Sequence, residues 1–367
     1  MRNPKYKWNI EDAIKLSIVN SNYLNHSDIF DIYPSFEDFQ QKTLSKYYPS
    51  YENKLFDNDT QDFKRESSEI LEQCEKNNIS VVSIFEDGYP SLLKEIANPP
   101  VVLYYRGNLK DNGKRISIVG TRRCTEYGKL CAELFTEAFV KAEVSIVSGL
   151  AIGIDTFSHL CALKNKGKTF AVIACGIDKI SPQTSEMNAD KIVQSGGAII
   201  STYPPGVTAL PPYFLQRNRI ISGLSQASLI IESGFKGGSL NTARNANEQN
   251  REVYAVPGRI NSERSKGTNR LIWQNGAKIA INPEEILDDL GFKCETELFS
   301  EANSAFKNLS ENQKLLLKHI DSEPSNVDSL AEATSLSIAE ILSELLYLEI
   351  GGFVKQIPGN NYIKFNI

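Results

Sequence analysis

The chain is poor in histidine, with three in 367 residues, and its six cysteines (Cys74, Cys124, Cys131, Cys161, Cys175 and Cys294) show no Cys-x-x-Cys spacing. A His/Cys metal centre is therefore not expected, and the cysteines read as reduced thiols of a cytoplasmic protein. No run approaches the roughly 18 apolar residues that a membrane helix needs. Met1–Trp8 is basic but lacks a following apolar core, so it does not read as a signal peptide. Neither glycine-rich turn has the Gly-x-Gly-x-x-Gly spacing of a dinucleotide site, and none is followed by the Gly-Lys-Ser/Thr of a P-loop. No cofactor is expected.

What is present is a soluble globular composition, 41% apolar and 23% charged, at a length that predicts two or three domains. The net charge of −5 is unevenly spread. Pro204–Arg270 carries nine Lys/Arg against four Asp/Glu, and Lys114–Leu130 carries five against one. Glu295–Ile367 has five against eleven. A polyanion would meet the basic stretches and avoid the tail.

Residues 1–78 are polar, with helical spacing over Ile10–Val19, and predict a small helical N-terminal domain. Two lead-in strands follow, at Ile79–Ile84 and Val101–Tyr105. From Arg115, apolar strands recur about every 25–30 residues, the length of a βα unit. They fall at Ile116–Val119, Val144–Val147, Thr169–Ala174, Ala198–Ser201, Ser228–Ile231, Glu252–Val256 and Ala277–Ile281. Fully apolar strands with helices between them predict a parallel sheet covered on both faces. The fold class is α/β, an extended Rossmann-like, doubly wound, mostly parallel sheet over residues 79–292. Residues 293–308 read as a linker, and 309–367 as a winged helix of three helices and a terminal hairpin.

Open parallel sheets bind ligands beyond the carboxyl ends of their strands. Gly120-Thr121-Arg122 follows the first of those strands and Ser148-Gly149, with Gly153 and Asp155 beyond, the second. Lys236-Gly237-Gly238-Ser239 follows the fifth, and Pro257-Gly258-Arg259 the sixth. Small residues let a ligand approach the backbone, and helix-start N–H groups favour anions. Any one such turn is ordinarily a tight connection; the grouping of four, three with Arg or Lys, points to a phosphate-bearing ligand. In Phe214-Leu215-Gln216-Arg217-Asn218-Arg219, the two arginines cannot share a helical face. One is expected to bind ligand while the other pairs internally, with Glu232 as a candidate. Phe214 reads equally as a base-stacking aromatic or as a hydrophobic staple. Asp155 reads as a helix cap, His159 as helix packing and Cys175 as a buried small residue.

These motifs resemble the DNA-processing protein A family (DprA/Smf). Ile118-Val119-Gly120-Thr121-Arg122, Val147–Ala151 with Gly153-Ile154-Asp155, Arg217–Ser225, Gly238-Ser239-Leu240 with Thr242-Ala243, and Ala255–Gly258 occur in the family's order. The likeness extends over about Ser80–Leu290 and a winged-helix tail. It implies a bacterial protein that is not an enzyme, binds single-stranded DNA, forms homodimers and helps load RecA recombinase during natural transformation. It also implies that Arg122 contacts DNA, that Phe214 and Arg217–Arg219 supply stacking and basic contacts, and that Lys236–Ser239 belongs to the same pocket.

The chain departs from the family pattern in three places. Leu215 replaces the usual proline, Ser181-Pro182-Gln183 lacks a basic residue, so that contact is either missing or taken over by Lys179, and no helix-hairpin-helix glycine signature marks the N-terminus. The acidic tail is expected to contact protein rather than DNA, because phosphate contacts need Lys/Arg. Two rival readings are a Rossmann-type nucleotide hydrolase resembling lysine-decarboxylase-like proteins and a winged-helix transcription regulator. The first lacks a glutamate at the required spacing after Gly237-Gly238-Ser239; the second is opposed by the acidic tail.

Overall fold

The computed structural model describes residues 9–19, 59–292, 309–320, 324–350 and 353–364. The chain forms two compact units, Met1–Lys293 and Cys294–Ile367. The expected linker at 293–308 and most of the first 58 residues lie outside the described residues.

The larger unit is built on nine strands: β1 (Ser80–Ser83), β2 (Val102–Gly107), β3 (Arg115–Val119), β4 (Ser145–Ser148), β5 (Thr169–Ile173), β6 (Ala198–Ser201), β7 (Ala227–Ile230), β8 (Glu252–Ala255) and β9 (Lys278–Ile279). Their order across the sheet is β1-β2-β6-β5-β4-β3-β7-β8-β9. From β6 to β9 every neighbouring pair is parallel. The two lead-in strands extend the sheet antiparallel beyond β6.

Every residue of β3 to β7 is buried, as strands covered on both faces require. Alternation divides their side chains between two cores. Ala171, Ile173 and Ile199 join one, and Phe170, Val172, Ala198 and Ile200 the other. Strand hydroxyls bond within the sheet: Ser117 Oγ donates to Ser228 Oγ at 2.6 Å and Thr169 Oγ1 to the Ile146 carbonyl at 3.0 Å. Helices α1 (Ile10–Val19) and α2 (Asp59–Lys76) place Ala13, Ile14, Ile70 and Cys74 in the first of these cores.

A one-turn helix, α3 (Ser91–Lys94), precedes β2, and α4 (Glu126–Lys141), α5 (Ile154–Lys164), α6 (Glu186–Gln194), α7 (Pro211–Gly223), α8 (Ser239–Glu248), α9 (Lys266–Trp273) and α10 (Pro283–Asp289) fill the later connections. The chain winds from β3 outward through β4, β5 and β6, then returns to place β7 on the other side of β3. The connections therefore diverge between β3 and β7, which is where an open α/β sheet forms its ligand crevice.

The smaller unit contains α11 (Glu311–His319), β10 (Ser325–Asn326), α12 (Val327–Thr334), α13 (Ile338–Ile350), β11 (Val354–Ile357) and β12 (Asn361–Lys364). Its three-stranded sheet has the order β10-β12-β11, and Leu316, Leu330, Ile341, Leu345 and Leu348 share its core. This is a winged helix. β10 adds a strand to the expected hairpin; at two residues it is too short to leave a periodic signal. Among the described residues no helix is long and apolar enough to cross a membrane.

Candidate functional site

Between β3 and β7, at their carboxyl ends, lies a cleft of about 250 Å³. Gly120, Thr121 and Arg122 line one side, Phe214, Leu215, Arg217 and Asn218 of α7 another, and Ser233, Gly234, Gly237, Gly238 and Ser239 a third. The three motifs, spread over more than a hundred residues of sequence, meet here because α7 and α8 both return to the switch point.

Each wall is held by a specific contact. Glu232, just past β7, accepts from the Thr125 N–H at 2.9 Å and the Thr125 hydroxyl at 2.6 Å. Thr125 in turn caps α4 by accepting the Gly128 N–H. Glu232 therefore anchors the Gly-Thr-Arg turn to the neighbouring strand, and the expected pairing of Glu232 with an arginine of α7 is replaced by this role. Gly153, at φ 92°, starts α5 beneath that turn, where an added Cβ would lie 2.4 Å from the Thr121 carbonyl oxygen. Only glycine fits a position that combines a positive φ with that approach. Helix α7 opens on Pro211 and Pro212, which forfeit no hydrogen bond in a first turn.

Both arginines of α7 are committed internally. The Arg217 side chain is buried at the floor, donating from Nη1 to the carbonyls of Gly149 and of Val172, the latter at 2.6 Å. Its Nε donates to Asn218 Oδ1 at 3.1 Å, and Asn218 Nδ2 reaches the Gly238 carbonyl at 3.3 Å. Arg219 points away from the cleft and donates to the carbonyls of Ala97 and Asn98 at 2.8–2.9 Å. The expectation that one of the pair is free for ligand therefore holds for neither: Arg217 is buried in the floor and Arg219 clamps the turn before β2. Opposite faces of one helix lead to opposite sides of the sheet edge, which is why the two separate.

Asp155 is not the cap of α5; Gly153 holds that position. The carboxylate instead folds back to accept the Gly149 N–H at 3.2 Å. Burial raises its pKa, against the pull of the Arg217 charge and the backbone of Ala151 and Gly149. An added Cβ on Gly149 would sit 2.7 Å from both Arg217 Nη1 and Asp155 Oδ2, so that glycine is required by the buried charges. Ser148 is likewise internal, donating to the Ile118 carbonyl at 2.6 Å. His159 is fully buried with Nδ1 2.6 Å from Thr169 Oγ1; burial, then the Arg217 charge, lowers its pKa to about 3. Cys175 is buried and its thiol pKa raised by desolvation.

What remains open to the cleft is an aromatic, a cation and a helix start. The guanidinium of exposed Arg122 lies over the half-buried Phe214 ring at 5.2 Å, with Arg217 at 5.8 Å. Arg122 pairs with no carboxylate among the described residues. Helix α8 begins at the cleft with no acidic residue in its first turn and no side-chain cap, so the positive end of its dipole faces the opening. An added Cβ on Gly237 would lie 2.1 Å from Ser233 Oγ, whereas Gly238 has open space before it. Lys236 is exposed on this loop outside the cleft lining, as is Lys179 after β5. Beside Lys236, exposed Phe235 carries the Arg270 guanidinium 4.4 Å from its ring centre.

Sequence reasoning did not single out Ala151, Ser233 or Thr242 for the lining. Ser233 directly follows Glu232 at a strand's carboxyl end, and Thr242 stands one helical turn after Ser239, so position alone carried a signal.

The profile of the family described as DNA recombination-mediator protein A matches residues 80–291, and that of the DprA winged helix domain matches 300–360. Protein Smf of Escherichia coli is 36% identical over 303 residues, 81% of each chain. The X-ray structure of DNA processing protein A from Streptococcus pneumoniae superposes with a TM-score of 0.54 at 36% identity, covering 62% of this chain and 81% of that one. DNA processing protein A of Helicobacter pylori, whose structure describes a single-stranded DNA binding mode, superposes at 0.53 with 29% identity, covering 58% and 95%.

Proposed function

The chain belongs to the DNA recombination-mediator protein A family, and from that premise and the make-up of its cleft we propose that it binds single-stranded DNA independently of base sequence and mediates recombination. The observation that carries the reading is Arg122 lying over Phe214 beside the start of α8. A base stacks on the aromatic face, and the adjoining phosphate meets the guanidinium and the helix N–H groups. Neither contact reads base identity, since every base has a stacking face and every nucleotide a phosphate. The single-stranded DNA binding of the H. pylori relative supports the same ligand here.

In this reading residues 79–292 hold the strand. Arg122, Phe214, Lys236, Gly237, Gly238 and Ser239 contact it, and Gly120 and Thr121 shape the approach. Ser148, Gly149, Gly153, Arg217, Asn218 and Arg219 hold the walls. The winged helix within 309–367 contacts protein. Acting as a homodimer in the cytoplasm, the protein passes the bound strand to RecA recombinase during DNA uptake. It does this without catalysis of its own.

The test is fluorescence anisotropy of a labelled single-stranded oligonucleotide and its duplex at two salt concentrations, with wild type and Arg122→Ala. Preference for the single strand, a negative salt slope and a shallower slope for the variant are expected. Equal affinity for both proteins, unaffected by salt, refutes the proposal. The mediator step is read separately, as faster RecA filament assembly on a strand already covered by single-strand-binding protein; no acceleration refutes that part alone.

A further inference from the structure

In winged-helix proteins that read DNA, the helix before the wing enters the major groove and needs Lys or Arg on its outer face. Helix α13 occupies that place in the smaller unit. Its inner face, Ile341, Leu345 and Leu348, is buried in the core. Successive residues of a helix step about 100° around the axis, so the outer arc runs through Leu342, Leu346, Ala339, Ser343 and Tyr347, with Ile338 at its margin in the first turn. None of these is charged. Ile338 is 51% exposed, Leu342 43%, Leu346 57% and Tyr347 64%, and Ala339 and Ser343 are exposed between them. Leu342, Leu346 and Tyr347 on this arc, with Ile338 at its margin, form a patch rather than scattered exposure.

The borders of this patch are acidic. On the helical wheel Glu349 flanks the Leu342 side, and Glu340 and Glu344 flank the Tyr347 side. Glu344 accepts from Gln313 Nε2 at 2.7 Å, and Glu349 from the Gln356 N–H at 2.9 Å. Glu340 is held by the start of the helix, accepting from the Ser337 hydroxyl at 2.6 Å and its N–H at 2.9 Å. These bonds lower its pKa, and its charge occupies the end of the helix that would otherwise attract a phosphate. DNA is therefore repelled at the helix start and along both borders. A second copy of the same face is disfavoured as well, because the pairing would set glutamates against glutamates.

We propose that the outer face of α13 is a docking surface for an amphipathic helix of a protein partner that carries an apolar ridge bordered by Lys or Arg. The row Ile338, Leu342 and Leu346, spaced four apart, forms a ridge beside a shallow groove over Ala339 and Ser343, closed at one end by Tyr347. A partner ridge of the same spacing packs into that groove. Basic residues on the partner's borders meet Glu340, Glu344 and Glu349, which sets partner choice more than affinity.

The test uses the full chain and two labelled synthetic 18-residue helical peptides with the same leucine ridge, bordered by lysine in one and by glutamate in the other. Anisotropy is expected to show saturable binding of the lysine peptide, at least tenfold weaker binding of the glutamate peptide, and loss of lysine-peptide binding in Leu342→Glu/Leu346→Glu. Both positions are exposed, so the variant is expected to keep the wild-type melting profile and oligonucleotide affinity. Tyr347→Ala gives a second, milder loss that does not introduce charge. Failure of the lysine peptide to bind, equal binding of both peptides, or unchanged binding by both variants overturns the proposal. So does a fall in self-association of Leu342→Glu/Leu346→Glu by sedimentation, which would assign the face to a second copy. Duplex DNA binding lost in the same variant would also overturn it.

Discussion

Replacing Arg217 with methionine keeps much of the side-chain volume and removes the charge at the cleft floor. Two buried carbonyls, those of Gly149 and Val172, then lose a charged donor, and Asp155 loses the nearest compensation for its buried carboxylate. Hydrogen bonds to charged groups are worth about 1.5–3 kcal/mol each, and leaving a buried charge uncompensated costs about 3–5 kcal/mol. These effects share the same atoms and do not add, so a total loss of about 3–5 kcal/mol is expected by urea denaturation.

The pH dependence has a definite sign. Without Arg217 the folded-state pKa of Asp155, already raised by burial, rises further, so between its unfolded value of about 3.9 and that raised value the folded state binds more protons than the unfolded. Stability of the variant therefore falls as pH increases through this window, and the deficit narrows as pH is lowered toward the unfolded-state pKa. Adding Asp155→Asn removes the uncompensated charge and is expected to recover about 1–3 kcal/mol as a coupling energy. A single variant within about 1 kcal/mol of wild type, or no recovery in the double variant, refutes the account of Arg217 as a structural clamp.

Arg219→Ala is expected to lower stability by about 1–3 kcal/mol through the orphaned carbonyls of Ala97 and Asn98, leaving the salt slope of oligonucleotide binding unchanged; a shallower slope would return Arg219 to the ligand. Phe214→Ala is expected to weaken single-strand binding by about 1–3 kcal/mol, the worth of one stacked base, measured by anisotropy against Phe214→Tyr, which retains binding. Gly237→Ala forces a Cβ against Ser233 Oγ, whereas Gly238→Ala meets open space. Thermal melts are therefore expected to show a loss for the first and little change for the second. His159 is held neutral by burial with a pKa near 3, so it stabilises the fold above its unfolded value of about 6.5 and that contribution is lost as pH falls toward 3; His159→Gln is expected to flatten this part of the pH–stability curve.

The strand pattern was legible because parallel strands covered on both faces must be apolar at every position, and β3 to β7 are buried throughout. The glycine turns were legible because they follow those strands directly. Gly120–Arg122 and Gly237–Ser239 do line one cleft. Local spacing also showed that Arg217 and Arg219 must diverge, since residues two apart leave a helix about 200° apart.

Tertiary structure alone decided what each of them does. Which arginine lies over the sheet depends on where α7 lands, and it lands with Arg217 buried over Gly149 and with Arg219 on the turn at Ala97–Asn98. The partner of Glu232 proved to be Thr125, more than a hundred residues earlier in the chain, because β7 pairs beside β3. Hydrogen bonds between residues so far apart carry no periodic signature in a single sequence; they appear only when the sheet order sets two strands side by side. The same reason places the aromatic, the exposed cation and the helix start around one opening: β3 and β7 are neighbours, and their connections leave in opposite directions.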